Sequence, residues 1–387
     1  MALAEALPVV AHCATPFLWD GAGAWIYNQI KWLQRWHPLV LTQEARNLDQ
    51  YPVADLRSTE DLDAAKRLLN RIVRRWTGEY PFYAGMLRAA DARLVHAHFG
   101  YQGCRCLRAI RMTGLPLLTT FYGADATSYA RLPEWRRRYA ELFDRGRMFL
   151  VEGSHLAAHV AAAGAPTDRI RIHHLGVDTE KIRFAERQPT DQVRVLMCGH
   201  FREKKGFPDG LRALGLALQS TPGVEVRVVM IGDGPERDQV RVAIEESGLG
   251  ARVELHGIRT YHEVLQQLEV SDLLLMPSRT ASDGDSEGGA PVILLDAQAS
   301  GVPVVSTTHA DIPEYVIDGG SGLLAPEGNQ DALVDVLRQM LTSPERWADM
   351  GARGRTHVEA EYDARRQVER LEKIYDELAP ADGHAPV

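Results

Sequence analysis

The sequence predicts an α/β protein made of two doubly wound parallel-sheet domains, and three observations carry that prediction. Its 387 residues are too many for one ordinary core, because domains usually run to about 100–200 residues. Short β-branched runs alternate with amphipathic stretches throughout, the pattern of a parallel sheet covered by helices. The alternation breaks once, at the polar segment from Ala185 to Asp191, and then restarts. A boundary is therefore expected at 185/186, with domains spanning 1–185 and 186–363.

In the first domain the expected strands are Pro8–His12, Pro38–Leu41, Leu94–His98, Leu117–Phe121, Met148–Val151 and Ile170–His173. The stretches Trp25–Trp36, Leu62–Trp76, Gly103–Thr113 and Glu134–Phe143 read as helices between them. In the second domain Val193–Cys198, Val224–Ile231, Val253–Leu255, Leu273–Met276 and Val302–Ser306 are strands, and Phe207–Gln219 and Glu236–Glu246 are helices. The chain ends in helical stretches at Ala332–Leu341, Trp347–Glu361 and Ala364–Leu378, the last expected to pack back on the first domain. The tail Ala379–Val387 reads as disordered. Ligands of such sheets lie beyond the strand ends, in a cleft that two domains would share.

Composition excludes several classes. Hydrophobic residues at 45% and charged residues at 25% mark a globular chain rather than a disordered or fibrous one. No stretch reaches the roughly 18 apolar residues of a membrane span, and Met1–Val10 lacks the basic region of a secretory signal. Cys13, Cys104, Cys106 and Cys198 are too scattered for a disulfide framework or a zinc site. A cytoplasmic, reduced protein is expected. The net charge of −8 is uneven: residues 1–185 hold 24 Lys and Arg against 18 Asp and Glu, leaving −14 for the remainder. The clusters Arg71, Arg74, Arg75 and Arg136–Arg138 point to an anionic membrane surface or acidic ligand, the competing reading being solvated helix faces paired with Glu79, Glu134 and Glu141. No nucleic-acid partner is expected.

The densest segment runs from Ser282 to Gly301. Its glycine-rich acidic loop leads into Pro291, which suits the first position of a helix because the missing N–H would be unpaired there. Free backbone N–H groups around Ala290–Leu294 would then face a phosphate. Asp296, a turn and a half on, can accept hydrogen bonds from a ribose diol, and Glu287 can hold sugar hydroxyls. Asp283 and Asp285 form a D-x-D pair. Gly21 and Gly23 follow the first strand but do not make G-x-G-x-x-G, so no dinucleotide site is read there.

These motifs, in this order, resemble the retaining glycosyltransferases of family 4, especially the exopolysaccharide and colanic-acid type. The family carries E-x7-E before a small-residue helix. Here Asp296-Ala-Gln-Ala-Ser-Gly301 matches the tail, while the first Glu would fall at Gly288 and the nearest acid is Glu287, giving E-x8-D. The segment Cys198-Gly-His-Phe-Arg-Glu-Lys-Lys-Gly-Phe207 resembles the family's G-R-x-x-x-x-K-G loop. Lys205 holds the Lys position and His200 the Arg position, so the second positive charge would come from Arg202 or protonated His200. Gly232 lies in a G-D-G-P turn, and Gly257, Ile258 and Arg259 fall where the family meets the base. The stretch from Thr119 to Asp125 resembles F-H-G-x-D, with Tyr122 at the His position and His98 able to supply the imidazole.

The resemblance covers residues 8 to 378 and implies the GT-B fold, two Rossmann-like domains facing across a cleft. It implies Lys205, Arg202, Glu287, His98 and Tyr122 as catalytic residues, and Asp125 on the acceptor side. Donor binding would fall to Gly21, Gly23, His200, Gly232, Gly257–Arg259, Gly288, Gly289, Ala290, Pro291, Val292 and Asp296. The implied activity is retaining transfer from a UDP- or GDP-sugar to a glycan or lipid-linked hydroxyl acceptor, for exopolysaccharide or another cell-surface glycan. The diphosphate would be met by Lys, Arg and the helix start, with no metal and no cofactor beyond the donor. The enzyme would be cytoplasmic, or peripheral on the inner membrane face. A nucleotide-sugar 2-epimerase and a non-catalytic nucleotide-sugar-binding protein are the alternatives.

Overall fold

The computed structural model describes residues 6–17 and 23–380. The chain divides into two compact units, Met1–Gly176 with Ala364–Val387, and Val177–Asp363. The junction precedes the expected boundary at 185/186 because the intervening segment is tied to the second unit. Ala185 N–H bonds the Ser300 carbonyl, and the Arg187 guanidinium reaches the carbonyls of Leu268, Glu269 and Ser300.

The first unit holds seven parallel strands: β1 (Val9–Cys13), β2 (His37–Thr42), β3 (Leu56–Ser58), β4 (Ala92–His98), β5 (Leu117–Thr120), β6 (Met148–Val151) and β7 (Ile170–Ile172). Their order is β3-β2-β1-β4-β5-β6-β7. The strands read as near-continuous apolar runs because both faces are covered, as in all-parallel sheets. The helices are α1 (Gly23–Lys31), α2 (Ala64–Thr77), α3 (Tyr83–Ala89), α4 (Gly100–Thr113), α5 (Pro133–Arg145) and α6 (Ser154–Ala162).

The second unit has six parallel strands: β8 (Gln192–Cys198), β9 (Glu225–Ile231), β10 (Val253–Gly257), β11 (Leu273–Met276), β12 (Val304–Thr307) and β13 (Gly322–Ala325), in the order β10-β9-β8-β11-β12-β13. Its helices are α7 (Phe207–Gln219), α8 (Arg237–Glu246), α9 (Tyr261–Val270), α10 (Ile293–Ala299), α11 (Ile312–Tyr315), α12 (Gln330–Thr342) and α13 (Trp347–Glu361). Helix α7 turns Leu211, Leu214 and Ala217 into the core at helical spacing. A Thr260/Glu263 capping box starts α9.

Helix α14 (Ala364–Leu378) belongs to the first unit. Its Leu371, Ile374 and Tyr375 pack with Val10, Leu94, Leu118 and Leu150 beneath the sheet. Glu372 accepts the N–H groups of Gln34 and Arg35, and the Trp36 indole donates to Asp376. Of the tail expected to be disordered, residues 381–387 lie outside the described residues, while Ala379 N–H still bonds the Tyr375 carbonyl. All four cysteines are free. Among the described residues no helix is long and apolar enough to cross a membrane.

Candidate functional site

In the second unit the strand order reverses between β8 and β11, the switch point where such sheets bind ligands. The two loops leaving those strands carry the chemistry. After β8 a tight turn, Glu203–Lys205, points two lysines at the loop that follows β11. Lys205 Nζ lies 2.9 Å from both carboxylate oxygens of Glu287, and Ser278 Oγ donates to the same carboxylate at 2.8 Å. The Lys205 side chain is 15% exposed and that of Glu287 is 7%. Burial pushes the Glu287 carboxyl up, but the charges of Lys205 and Lys204 and the two hydrogen bonds outweigh it and hold the group below its ordinary range. It is a carboxylate kept ionised in a nearly dry place.

The backbone around this pair is fastened separately. Lys204 bonds Asp285 and the Ser286 carbonyl, Arg279 pairs with Glu203, and Ser282 donates to Glu203 through both its N–H and its hydroxyl. Glu287 N–H donates to His309 Nε2 at 3.1 Å, which fixes the His309 proton on Nδ1, facing Glu327. The D-x-D carboxylates are thus engaged: Asp285 with Lys204, and Asp283 with the N–H of Asp285. Arg202, on the same turn as Lys205, is exposed and has no ion-pair partner among the described residues.

Partial burial, and then the nearby Arg202 and Lys205, push the His200 imidazole below its ordinary value, which favours Arg202 over protonated His200 as the second charge. One expectation is corrected here. Pro291 is not the first helical residue. Helix α10 starts at Ile293 with Val292 as its N-cap, and Pro291 stands just before it, its carbonyl accepting the Leu294 N–H. The opening turn is tighter than an α-helix because Leu295 N–H reaches back only three residues, to Val292.

Asp296 is 3% exposed and accepts a 2.8 Å hydrogen bond from the Tyr261 hydroxyl. Burial pushes its pKa up to about 7, with Tyr261 opposing. Gly199, Gly232 and Gly257 follow one another at the ends of neighbouring β8, β9 and β10, joined by Gly199 N–H to Ile231 O and Gly232 N–H to Gly257 O. Ile258 is 64% exposed beyond them, and Arg259 turns to Glu263. Gly288 donates to Ser286 Oγ and Gly289 accepts from Asp311 N–H; both are buried, as is Ala290. Sequence reasoning did not single out Tyr261, His309, Glu203 or Arg279. The capping box before α9 is the signal that places Tyr261 in a first turn; His309 carries none.

In the first unit the structure brings His98 and Tyr122 together. Gln29 Nε2 donates to the Tyr122 hydroxyl, which shares a 2.6 Å hydrogen bond with His98 Nδ1. His98 Nε2 shares a 3.0 Å hydrogen bond with His12 Nδ1, and His12 Nε2 has no hydrogen-bond partner among the described residues. His96 is engaged at both nitrogens, by Tyr375 and Thr120 at 2.7 Å each. The nitrogens of His12, His96 and His98 lie within 4.8 Å of one another, but these hydrogen bonds already use five of the six. Burial pushes all three imidazoles well down and the Tyr122 phenol well up, so each is neutral. Asp125, expected on the acceptor side, is instead an anchor. It is 2% exposed, one carboxylate oxygen accepts Gly100 N–H, and the other accepts Tyr122 and Gly123 N–H. Gly21 lies outside the described residues, and Gly23 opens α1.

Residues 19–181 match the family model described as Glycosyltransferase Family 4, and residues 178–357 the one described as Glycosyl transferases group 1. The chain is 33% identical over 294 residues to the amylovoran biosynthesis glycosyltransferase AmsK of Erwinia amylovora, covering 75% of this chain and 71% of that protein. It is 35% identical to the putative colanic acid biosynthesis glycosyltransferase WcaL of Escherichia coli over 62% of this chain, a match that spans 59% of the relative, less than two thirds of its length. The crystal structure of Anabaena Alr3699/HepE with UDP-glucose superposes with a TM-score of 0.76 at 17% identity, over 96% of this chain and 100% of that one. Two parallel Rossmann-like units of the GT-B fold, matched from residue 19 to 357 by these family models, and the relation to AmsK place the chain among the family 4 glycosyltransferases.

Proposed function

We propose that the protein transfers a sugar, with retention, from a nucleoside diphosphate sugar to a hydroxyl acceptor in the assembly of an exopolysaccharide or another cell-surface glycan. The observation that carries this reading is the buried Lys205–Glu287 pair at the switch point, with Arg202 on the same turn. A leaving diphosphate needs positive charge that is already in place, and fixed charges in a water-poor site act far more strongly than in water. Lys205 and Arg202 supply that charge without a metal ion. Glu287 offers an ionised acceptor to the hydroxyls of the sugar, and Asp296, once deprotonated, accepts from those of the ribose. In the retaining route the bond from the anomeric carbon to the phosphate oxygen breaks. The acceptor oxygen bonds the same face, and its proton passes to the departing phosphate. The names of AmsK and WcaL support the polysaccharide setting, and UDP-glucose bound to HepE supports the donor class.

A thermal-shift panel of UDP- and GDP-sugars tests donor binding, since a ligand at 100 times its Kd stabilises by about 2.7 kcal/mol. NMR of the product then reads the anomeric configuration. An axial-to-axial or equatorial-to-equatorial outcome, unaffected by EDTA, is expected. Inversion, or loss of the rate on chelation, would overturn the mechanism. Donor incubated alone should hydrolyse slowly; its conversion to the 2-epimer would make the protein an isomerase.

A further inference from the structure

We propose that α2 lies in the interface of a lipid bilayer and that the cavity beside it takes the phosphate of an anionic lipid headgroup. Helix α2 is unusual in this fold because it buries only Asn70. Its large apolar side chains point to solvent: Leu68 is 54% exposed, Leu69 50%, Ile72 47% and Trp76 83%. At about 100° per residue these four share one arc of roughly 100°, and Arg67, Arg71, Arg74 and Arg75 share the adjoining arc. An exposed apolar ridge flanked by arginines is the build of a helix that rests on a membrane surface, with tryptophan at headgroup level.

The arginine arc borders a cavity of about 810 Å³ in the first unit. Arg105 of α4 and Arg138 of α5 enter it from the other side, making six arginines against Glu60 and Glu134. Among the described residues none of the six has an ion-pair partner. Glu79 and Glu141, the partners a solvated-face reading would require, pair with Arg111, and Glu141 also with Arg145. The contacts that hold the arginines are neutral: Arg74 to Gln43 Oε1, Arg105 to the Tyr80 hydroxyl and Arg138 to the Thr77 carbonyl. Uncompensated guanidinium groups converging on one concavity favour a phosphate, which arginine grips through paired N–H donors. The apolar ridge next to it makes a lipid the source of that phosphate. Of the Arg136–Arg138 run, only Arg138 lines the cavity. The inference does not depend on the donor site, which lies in the other unit.

The test is vesicle co-sedimentation of the full chain. Phosphatidylglycerol vesicles should retain it, phosphatidylcholine vesicles should not, and rising salt should release it. Each basic residue removed near such a surface weakens binding about fivefold. Arg71→Gln/Arg74→Gln/Arg138→Gln should therefore lower the anionic partition about a hundredfold, whereas Arg136→Gln/Arg137→Gln should change it far less. Leu68→Ser/Ile72→Ser/Trp76→Ser should abolish vesicle binding while leaving unchanged that part of the inorganic pyrophosphate binding, read by calorimetry, which Arg71→Gln/Arg74→Gln/Arg138→Gln removes. All substitutions except Arg138 fall on exposed positions, and circular dichroism checks the fold. Equal recovery on neutral and anionic vesicles would overturn the phosphate cavity. Pyrophosphate binding that is lost on substituting the cavity arginines, with no vesicle binding, would overturn the lipid source. A dimer that dissociates on the ridge substitutions would assign the ridge to a second copy and overturn the proposal.

Discussion

At the switch point of the second unit, Lys205 carries two tasks in succession. It keeps Glu287 ionised in a nearly dry pocket, and in the proposed reaction it then faces a diphosphate. Lys205→Ala should lower turnover by about 10²–10³, the range seen when one preorganised charge-stabilising group is removed, and should weaken the binding of free UDP or GDP. Unchanged nucleotide affinity by calorimetry would take Lys205 out of the site. Glu287→Gln should spare nucleotide binding and impair transfer, because it would touch the sugar rather than the phosphates. Asp296 allows a pH test. Its pKa is raised by burial to about 7, above the ordinary carboxyl value of about 4. Between those values the native state binds more protons than the unfolded chain, so this group makes stability fall as pH rises from about 4 to 7. Asp296→Asn should therefore flatten the slope and raise the melting temperature more at pH 8 than at pH 5. Nucleotide affinity in the parent protein should improve through pH 7, as the carboxylate forms that accepts the ribose hydroxyls. The variant should bind weakly at every pH, and normal binding by Asp296→Asn would end the ribose assignment.

The elements themselves were largely legible, because a parallel sheet buried on both faces leaves apolar runs that periodicity detects. Met148–Val151, Phe207–Gln219, Leu273–Met276 and Ala364–Leu378 were read with the observed bounds. The three-residue strand β3 was missed, being too short to show a period, and β13 was missed because Gly-Leu-Leu-Ala opens on glycine and carries no β-branched residue. Helix α6 was missed because Ser-His-Leu-Ala-Ala-His-Val-Ala-Ala carries its apolar residues nearly all round. The charges of the site were legible as motifs, since Lys205 and Glu287 each sit in a recognisable loop. Their neighbours were not, because Ser278, His309 and Glu203 reach the pair through contacts that only the fold creates. One such contact yields a test. Gly206 has φ +63°, and a Cβ there would lie 2.0 Å from the Pro277 carbonyl oxygen, so the Lys205 turn and the loop after β11 meet only because this residue is glycine. Gly248 has φ +71° but open space around it. Gly248→Ala should cost about 1 kcal/mol for its left-handed backbone alone. Gly206→Ala should cost clearly more and should also weaken nucleotide binding, as measured by denaturation and calorimetry. Equal costs would mean that the two loops yield without penalty.

Across the whole molecule, the chain returns to its first unit only in its last helix. That unit's sheet is covered on one side by Leu371, Ile374 and Tyr375, which are 0%, 5% and 0% exposed. Each such side chain is worth about 2–5 kcal/mol on truncation. Removing α14 would also strand His96 Nδ1, the Trp36 indole and the N–H groups of Gln34 and Arg35. A domain has about 5–15 kcal/mol of stability to lose, so a chain ending at Asp363 should lose the fold of its first unit. The second unit keeps a core of its own, running from Val177 to Tyr362. The truncated protein should therefore show one calorimetric transition where the full chain shows two, and UDP or GDP should still raise it. Tyr375→Phe provides the mild counterpart: it keeps the ring in the core and removes only the hydroxyl bonded to His96, so it should lower the first transition by an amount near one buried hydrogen bond, about 1–3 kcal/mol. If the truncated chain lost nucleotide binding together with all folded structure, the two units would not be separate folding bodies, and the donor site could not be assigned to the second unit alone.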